Sequence, residues 1–296
     1  MKIALFYNKS PGTVGEYFHR ALLSLGEQVD HYSIAGMTDP PSGYDVFLRV
    51  DHGDYATDLP RSLKPKAFYA VDTHLHRSWD SIRRLAEGYD LLLCAQQLAA
   101  RCLPRAVWVP LGCDPEIHGQ GADGTTSNGG NPLKYDLAFV GNDGGIPRKF
   151  LLQEMRERYP NSFIGRAPHT QMREIYGQAK LGFHYIECTS PLKDHVSMRV
   201  YEVLASGSLL LANALAPGAF ESVGLKDGEH LTVYRNPKEL FERVDHYLSH
   251  EEERRRIAAA GSAAVLRHHT YRQRAETSVQ HLEELSSRAK RRNPPK

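Results

Sequence analysis

Residues 194–207 read Asp194-His195-Val196-Ser197-Met198-Arg199-Val200-Tyr201-Glu202-Val203-Leu204-Ala205-Ser206-Gly207, and the apolar run Ser208-Leu209-Leu210-Leu211-Ala212 follows at once. A helix is expected over 194–206, largely buried because Val200, Val203 and Leu204 flank Glu202. The run after Gly207 reads as a strand buried on both faces. Two carboxylates, Asp194 and Glu202, thus bracket a helix start. Unpaired N–H groups and the positive end of the helix dipole make such a start a site for phosphate. A buried carboxylate further along needs partners, and sugar or ribose hydroxyls are suitable ones. Phosphate and hydroxyls together describe a nucleotide sugar.

Outward from this stretch, strands and helices alternate in both directions. Toward the N-terminus, strands are expected at 2–7, 28–34, 44–50, 66–72, 89–94 and 106–109, with helices at 14–25, 78–87 and 96–103. Around the stretch itself, strands are expected at 135–141, 162–165, 181–186, 209–212 and 230–234. Helices are expected at 147–159, 169–179, 237–248, 251–267 and 271–289. Short apolar strands separated by helices imply parallel sheets with crossover connections. The Gly-, Ser- and Asn-rich segment Gly119 to Asn131 interrupts the alternation and reads as a flexible linker. The expected organisation is an N-terminal Rossmann-like domain over 1–118, a linker over 119–133 and a C-terminal Rossmann-like domain with helical terminus over 134–296.

The bulk properties narrow the function. With 41% hydrophobic and 24% charged residues, the chain has the composition of a soluble globular protein. It contains no run of eighteen apolar residues, and its first residues read as a strand, so a cytoplasmic protein is expected. Cys94, Cys102, Cys113 and Cys188 show no metal-ligand spacing and read as free thiols. A net charge of +2 gives no electrostatic case for nucleic acid. Five basic residues sit in the last nine, and the remainder carries 32 basic against 35 acidic residues. That tail is either solvated or a weak peripheral tether to anionic lipid.

The stretch resembles the donor-binding signature of retaining GT-B glycosyltransferases. It is most similar to the family of spore maturation protein CgeB and its glycosyltransferase group 1-like relatives. The resemblance runs on through Gly228-Glu229-His230-Leu231, Tyr234, Glu239-Leu240, His269-Thr270-Tyr271 and Arg274, in order, over roughly residues 134–285. It implies an α/β GT-B architecture, two doubly wound domains facing across a cleft. It also implies transfer of a hexose from a nucleoside-diphosphate sugar, UDP-linked above all, to a hydroxyl acceptor. The departure is Asp194, which stands where those enzymes carry Glu.

The resemblance assigns roles. Glu202 accepts the ribose hydroxyls, Asp194 points at the donor sugar, and the backbone of Ser197 and Met198 holds the diphosphate. Arg199 is a phosphate partner, since its planar fork suits phosphate oxygens. Gly141 and Asn142 form a turn that admits close backbone approach, and Arg148 and Lys149 reach the diphosphate. Gly165 and Arg166 contact the base. In the N-terminal half, Asp72, His74 and His76 alternate and would share one face of a strand. That pattern can ligate a metal but lacks a fourth ligand, so no metal and no cofactor are expected. Asp72 and His74 instead line the acceptor side, where imidazole can bind or deprotonate a hydroxyl. Asp51-His52-Gly53-Asp54 and the Gly12-Thr13-Val14-Gly15 turn are further candidates there. Two rival readings use the same donor pocket: a GT-B-fold sugar-nucleotide epimerase, and a catalytically idle sugar-nucleotide-binding or coat-associated protein.

Overall fold

The computed structural model describes residues 1–34, 41–119 and 133–292. They form two compact units, each built on one parallel sheet. Most of the expected linker, residues 120–132, and the last residues of the tail, 293–296, lie outside the described residues.

The first unit comprises Met1–Leu111, Glu187–Val196 and the chain from Tyr271 onward. Its strands are β1 (Lys2–Phe6), β2 (Gln28–Tyr32), β3 (Val46–Val50), β4 (Lys66–Ala70), β5 (Leu91–Cys94) and β6 (Ala106–Trp108). They are ordered β2-β1-β3-β4-β5-β6, all pairs parallel. Every residue of β3 and β4 is buried, which is why those strands read as unbroken apolar runs flanking Arg49 and Lys66. The helices are α1 (Val14–Ser24), α2 (His76–Ala86) and α3 (Gln97–Cys102).

The second unit comprises Gly112–Ile186 and Ser197–Thr270. It begins with the short α4 (Pro115–His118), and its strands are β7 (Tyr135–Val140), β8 (Ser162–Gly165), β9 (Ala179–His184), β10 (Leu209–Asn213) and β11 (Thr232–Tyr234). They are ordered β11-β10-β9-β7-β8. The helices are α5 (Arg148–Arg158), α6 (Met172–Gly177), α7 (Met198–Ala205), α8 (Ala219–Ser222), α9 (Pro237–Ser249) and α10 (Glu251–His268). The final helix, α11 (Tyr271–Arg292), belongs to the first unit, where it packs along α1 with Tyr271 stacked on Tyr17 at 5.3 Å.

Two glycines set the position of α7. A Cβ on Gly182 of β9 would lie 2.3 Å from Val203 Cγ1. A Cβ on Gly261 of α10 would lie 2.1 Å from the carbonyl oxygen of His230 and 2.8 Å from Leu204 Cδ2. Side chains at either place would push α7 off the sheet.

The structure departs from the sequence expectation in three places that matter for the site. The helix after β9 starts at Met198, not at 194, because Ser197 is extended and residues 187–196 are grouped with the first unit. Strand β4 ends at Ala70, because the amides of Val71 and Asp72 both turn to Asp51 Oδ2 at 3.0 Å instead of continuing the ladder. Asp72, His74 and His76 therefore do not share a strand face, and His76 opens α2 and pairs with Asp80. The C-terminal helix returns to the first unit, so the unit boundaries are not the simple division at 118 and 134.

Candidate active site

In the second unit the candidate residues gather at the carboxyl ends of the strands, where open α/β sheets bind ligands. Ser197 is the N-cap of α7, yet its side chain makes no cap hydrogen bond. Its Oγ instead lies 2.7 Å from Nε2 of His184, the last residue of β9. Both residues are buried. The His184 Nδ1 has no partner, so the arrangement that leaves no buried N–H unpaired has Nε2 donating to Ser197 Oγ. The serine proton is then directed elsewhere, and the amides at the start of α7 are left without a side-chain cap. Burial, followed by the charges of Arg199 and Arg148, lowers the His184 pKa to about 3. Two cations from different elements therefore act on His184.

Arg199 donates from Nη1 to Glu202 Oε2 at 2.8 Å and also contacts Met172 Sδ at 2.9 Å. Glu202 is 3% exposed. Its other oxygen faces His118 Nε2 at 3.4 Å. The Asp114 amide donates to His118 Nδ1 at 3.0 Å, so the imidazole proton sits on Nε2 and points at Glu202. Burial lowers the His118 pKa against the pull of Glu202, which keeps the ring neutral. Glu202 is thus a buried carboxylate oriented by one cation and one neutral donor.

The loop after β7 carries the remaining candidates. Gly141 donates its amide to the Gly165 carbonyl at 2.9 Å, which ties the ends of β7 and β8. Arg148 folds back over the loop, donating to the carbonyls of Asp143 at 3.2 Å and Tyr185 at 3.4 Å. Gly144 has φ of 67°, and a Cβ there would collide with the Arg148 guanidinium. Asn142, Lys149 and Arg166 are exposed, as are the apolar side chains of Ile146 and Phe150. The structure thus brings Ser197, Met198, Arg199, Glu202 and Arg148 to one helix start, with Gly141 and Gly165 at adjacent strand ends.

In the first unit a second polar cluster follows β3 and β4. Asp51 accepts the amides of Val71, Asp72 and Gly53 and the Tyr55 hydroxyl, so it shapes the loop. His74 is buried and stacks on His195, ring centroids 3.9 Å apart and 12° from parallel. Burial lowers the His74 pKa to about 4. Burial and then the charge of Asp51 raise Asp72 to about 7. Asp194 accepts the Leu98 amide at 2.8 Å and Gln96 Nε2 at 3.2 Å. It caps α3 from a distant segment and does not cap α7. Among the described residues, no three His, Cys, Asp or Glu side chains gather as metal ligands.

The sequence profile of a family described as glycosyl transferase-like matches residues 131–280, more than half of the chain. The chain belongs to the glycosyl transferase-like family. Solved glycosyltransferases share its fold over nearly the whole length. Sucrose-phosphate synthase from Thermosynechococcus elongatus aligns with a TM-score of 0.65 at 12% identity, covering 97% of this chain and 99% of that one. Anabaena HepE, solved in complex with UDP and glucose, aligns with a TM-score of 0.65 at 10% identity over 96% and 100%. T4 phage BGT, solved with its UDP-glucose substrate, aligns with a TM-score of 0.57 at 16% identity over 98% and 99%. No curated protein matches the chain by sequence. The architecture is the two-unit GT-B fold, and the protein is a glycosyltransferase. Among the described residues, no helix is long and apolar enough to cross a membrane.

Three residues of the candidate site carry no motif mark in the sequence: His184, His118 and His195. His195 sits inside the quoted stretch without a spacing that marks it. His184 ends an apolar strand at the carboxyl edge of its sheet, and that position was a usable signal. His118 belongs to a four-residue helix too short to show periodicity.

His74 and His184 give the stability a pH dependence. The folded values for His74 and His184 lie below the unfolded value of about 6.5. Their contribution is complete above that value and is lost as pH falls toward about 4 and about 3. Asp72 acts oppositely, its contribution being lost as pH rises through about 7. Among these three groups, between pH about 6 and about 4.5 two histidines outweigh one carboxyl, a contribution of about 1.4 kcal/mol per pH unit. The urea midpoint is expected to fall across that window, and His184→Asn should flatten the fall. A midpoint that rises on acidification would contradict these assignments.

Asp194 offers a separate test. Asp194→Ala removes the acceptor for the Leu98 amide, and loss of a cap costs about 1 kcal/mol. Urea unfolding is expected to show that loss, with Asp194→Asn retaining part of it. An alanine variant of unchanged stability would mean that α3 does not depend on this carboxylate.

Proposed function

We infer that the protein moves a hexose from a UDP-sugar to a hydroxyl acceptor. The observation that carries this reading is Glu202, a carboxylate 3% exposed, held beside Arg199 near the uncapped start of α7. Glu202 accepts the ribose hydroxyls. The amides of Ser197 and Met198 take the diphosphate, with Arg199, Arg148 and Lys149 offsetting its charge and Gly141 and Asn142 giving close backbone approach. Gly165 and Arg166 meet the base. The bound UDP of HepE and the UDP-glucose of T4 phage BGT support a uridine donor. The finer placement in the CgeB branch rests on the ordered motifs between residues 198 and 274.

The acceptor is bound by first-unit groups, with Asp72 and His74 contacting its hydroxyl. The bond from the anomeric carbon to the acceptor oxygen forms as the bond to the donor phosphate oxygen breaks. The acceptor proton passes to the departing phosphate, so the reaction retains anomeric configuration. In this scheme His74, whose pKa of about 4 leaves it neutral, positions the acceptor. Asp194 stands beside that region with both oxygens engaged by α3, and a donor-sugar role would use it in that fixed orientation. Charge development on the leaving diphosphate is met by Arg199 and the helix start and needs no divalent ion. No disulfide joins the four cysteines, which supports a cytoplasmic setting. In the basic tail, Arg288 and Lys290 are paired with Glu284 and Asp45, which leaves Arg291 and Arg292 as exposed charges for a weak lipid contact.

A thermal-shift panel of UDP-, GDP- and dTDP-sugars tests the reading, because a ligand that binds only the folded state raises the melting temperature. UDP-sugars are expected to give the largest rise, and a panel with no rise would overturn it. Transfer is expected to persist in excess chelator. A tenfold or larger fall reversed by magnesium or manganese would instead require a metal site. Proton NMR of the fresh product should show an α-linkage from an α-linked donor, and a β-linkage would overturn retention alone.

A further inference from the structure

The first unit carries a basic cavity that glycosyl transfer leaves unused. It lies at the amino ends of the strands, where Lys66 opens β4. Asp72 and His74 follow the opposite end of the same strand, about 20 Å away at the rise of a β-strand. The cavity measures about 510 Å³. It is lined by the cations Arg61, Lys64, Lys66 and Arg84 and by the carboxylates Asp58 and Glu87.

Lys66 is the unusual member. It is 1% exposed. Its Nζ donates to the Leu59 carbonyl at 3.3 Å, stands 3.9 Å from Asp58 Oδ2 and lies 4.6 Å over the Tyr89 ring. An ammonium has three donors, and these contacts occupy them poorly. Asp58 is shared: its Oδ1 accepts Arg49 Nη1 at 2.9 Å and the Tyr89 hydroxyl. Arg49 is fully buried, so one carboxylate serves two interior cations. A buried charge without a full partner is costly, and an anion in the cavity would supply one.

The rim has cations to spare. Lys64 is balanced by Asp90 at 3.0 Å. Arg84 donates to Ser81 Oγ at 3.2 Å but pairs with no carboxylate among the described residues, and neither does Arg61. Gly88 brings backbone close to the Lys66 ammonium, a Cβ there lying 3.7 Å from Nζ. Two planar guanidinium forks and a buried ammonium line the same cavity, a set that suits the oxygens of a phosphoryl group. The volume exceeds what phosphate alone fills and lies in the range of small-molecule pockets.

We propose that this cavity binds a small phosphoryl anion, a pyrophosphate or phosphomonoester, through Lys66, Arg61 and Arg84. The site is separate from the donor pocket and does not depend on the reading of that pocket. The test is thermal melting of the full chain against pyrophosphate, at constant ionic strength balanced with chloride and with UDP present to fill the donor pocket. A saturable rise is expected. In the exposed double variant Arg61→Ala/Arg84→Ala the titration midpoint should move roughly tenfold or more, as expected for two lost charge-assisted contacts. Lys66→Met removes the under-paired charge, so it should melt higher without anion and gain nothing from pyrophosphate. No rise in the wild type, or an equal titration in the double variant, would overturn the site. So would binding to anionic phospholipid vesicles that the double variant loses while pyrophosphate shifts nothing, because the basic rim would then serve a lipid surface. If UDP alone gives no shift, the donor reading fails separately, and the pyrophosphate titration is repeated in Arg199→Ala.

Discussion

Glu202→Ala is expected to weaken UDP-sugar binding by about 2–3 kcal/mol, roughly 30- to 150-fold, as a pair of hydrogen bonds to a charged acceptor is lost. The carboxylate is buried and oriented by Arg199 and His118 before any ligand arrives, so little ordering cost remains for binding. Alanine is a good helix former, and α7 should survive the change. Glu202→Gln keeps the shape and one acceptor oxygen and should fall between the two. Titration calorimetry reads the difference, with circular dichroism confirming the fold. Unchanged affinity in a folded alanine variant would remove the residue on which the donor assignment turns.

Arg199→Met is expected to lower turnover by about 10²–10³-fold, the scale for removing one preorganised group that meets developing charge. Arg199→Lys should recover only part, since an ammonium cannot reproduce the fork. The two effects are coupled. Without Arg199, Glu202 keeps, among the described residues, the 3.4 Å contact to His118, and a buried carboxylate that loses its cation destabilises the unit. Urea unfolding of Arg199→Met therefore accompanies the kinetics. A variant that loses stability but turns over normally when folded would make Arg199 a partner of Glu202 and nothing more.

The sheets were legible because central strands such as β3, β4 and β10 are buried on both faces and so write mostly apolar runs. The strands expected at 162–165 and 209–212 coincide with β8 and β10 to within one residue. The start of α7 was misplaced for a physical reason. Asp194 has the chemistry of a cap, and sequence places it beside its own helix, but its carboxylate caps α3, 96 residues away in the chain. The end of β4 was misplaced for a similar reason: Asp51, just after the preceding strand, draws the amides of Val71 and Asp72 out of the ladder. Long-range capture of this kind leaves no periodic trace. Glu202 and Arg199 stood out as candidates because they lie in a run whose order resembles a family. His184 was not, because a lone histidine at a strand end looks like any satisfied core polar group until its partner Ser197 is seen at 2.7 Å. The return of α11 to the first unit was also hidden, since helix periodicity states that a face is buried but not against what.

The most direct test of the account is a calorimetric titration of the full wild-type chain with UDP. A saturable heat with one site per chain, abolished or strongly weakened in folded Glu202→Ala, is the expected result. A folded wild-type chain that gives no heat with UDP, or an alanine variant that binds it as tightly, would contradict the claim that α7 and Glu202 form the donor site.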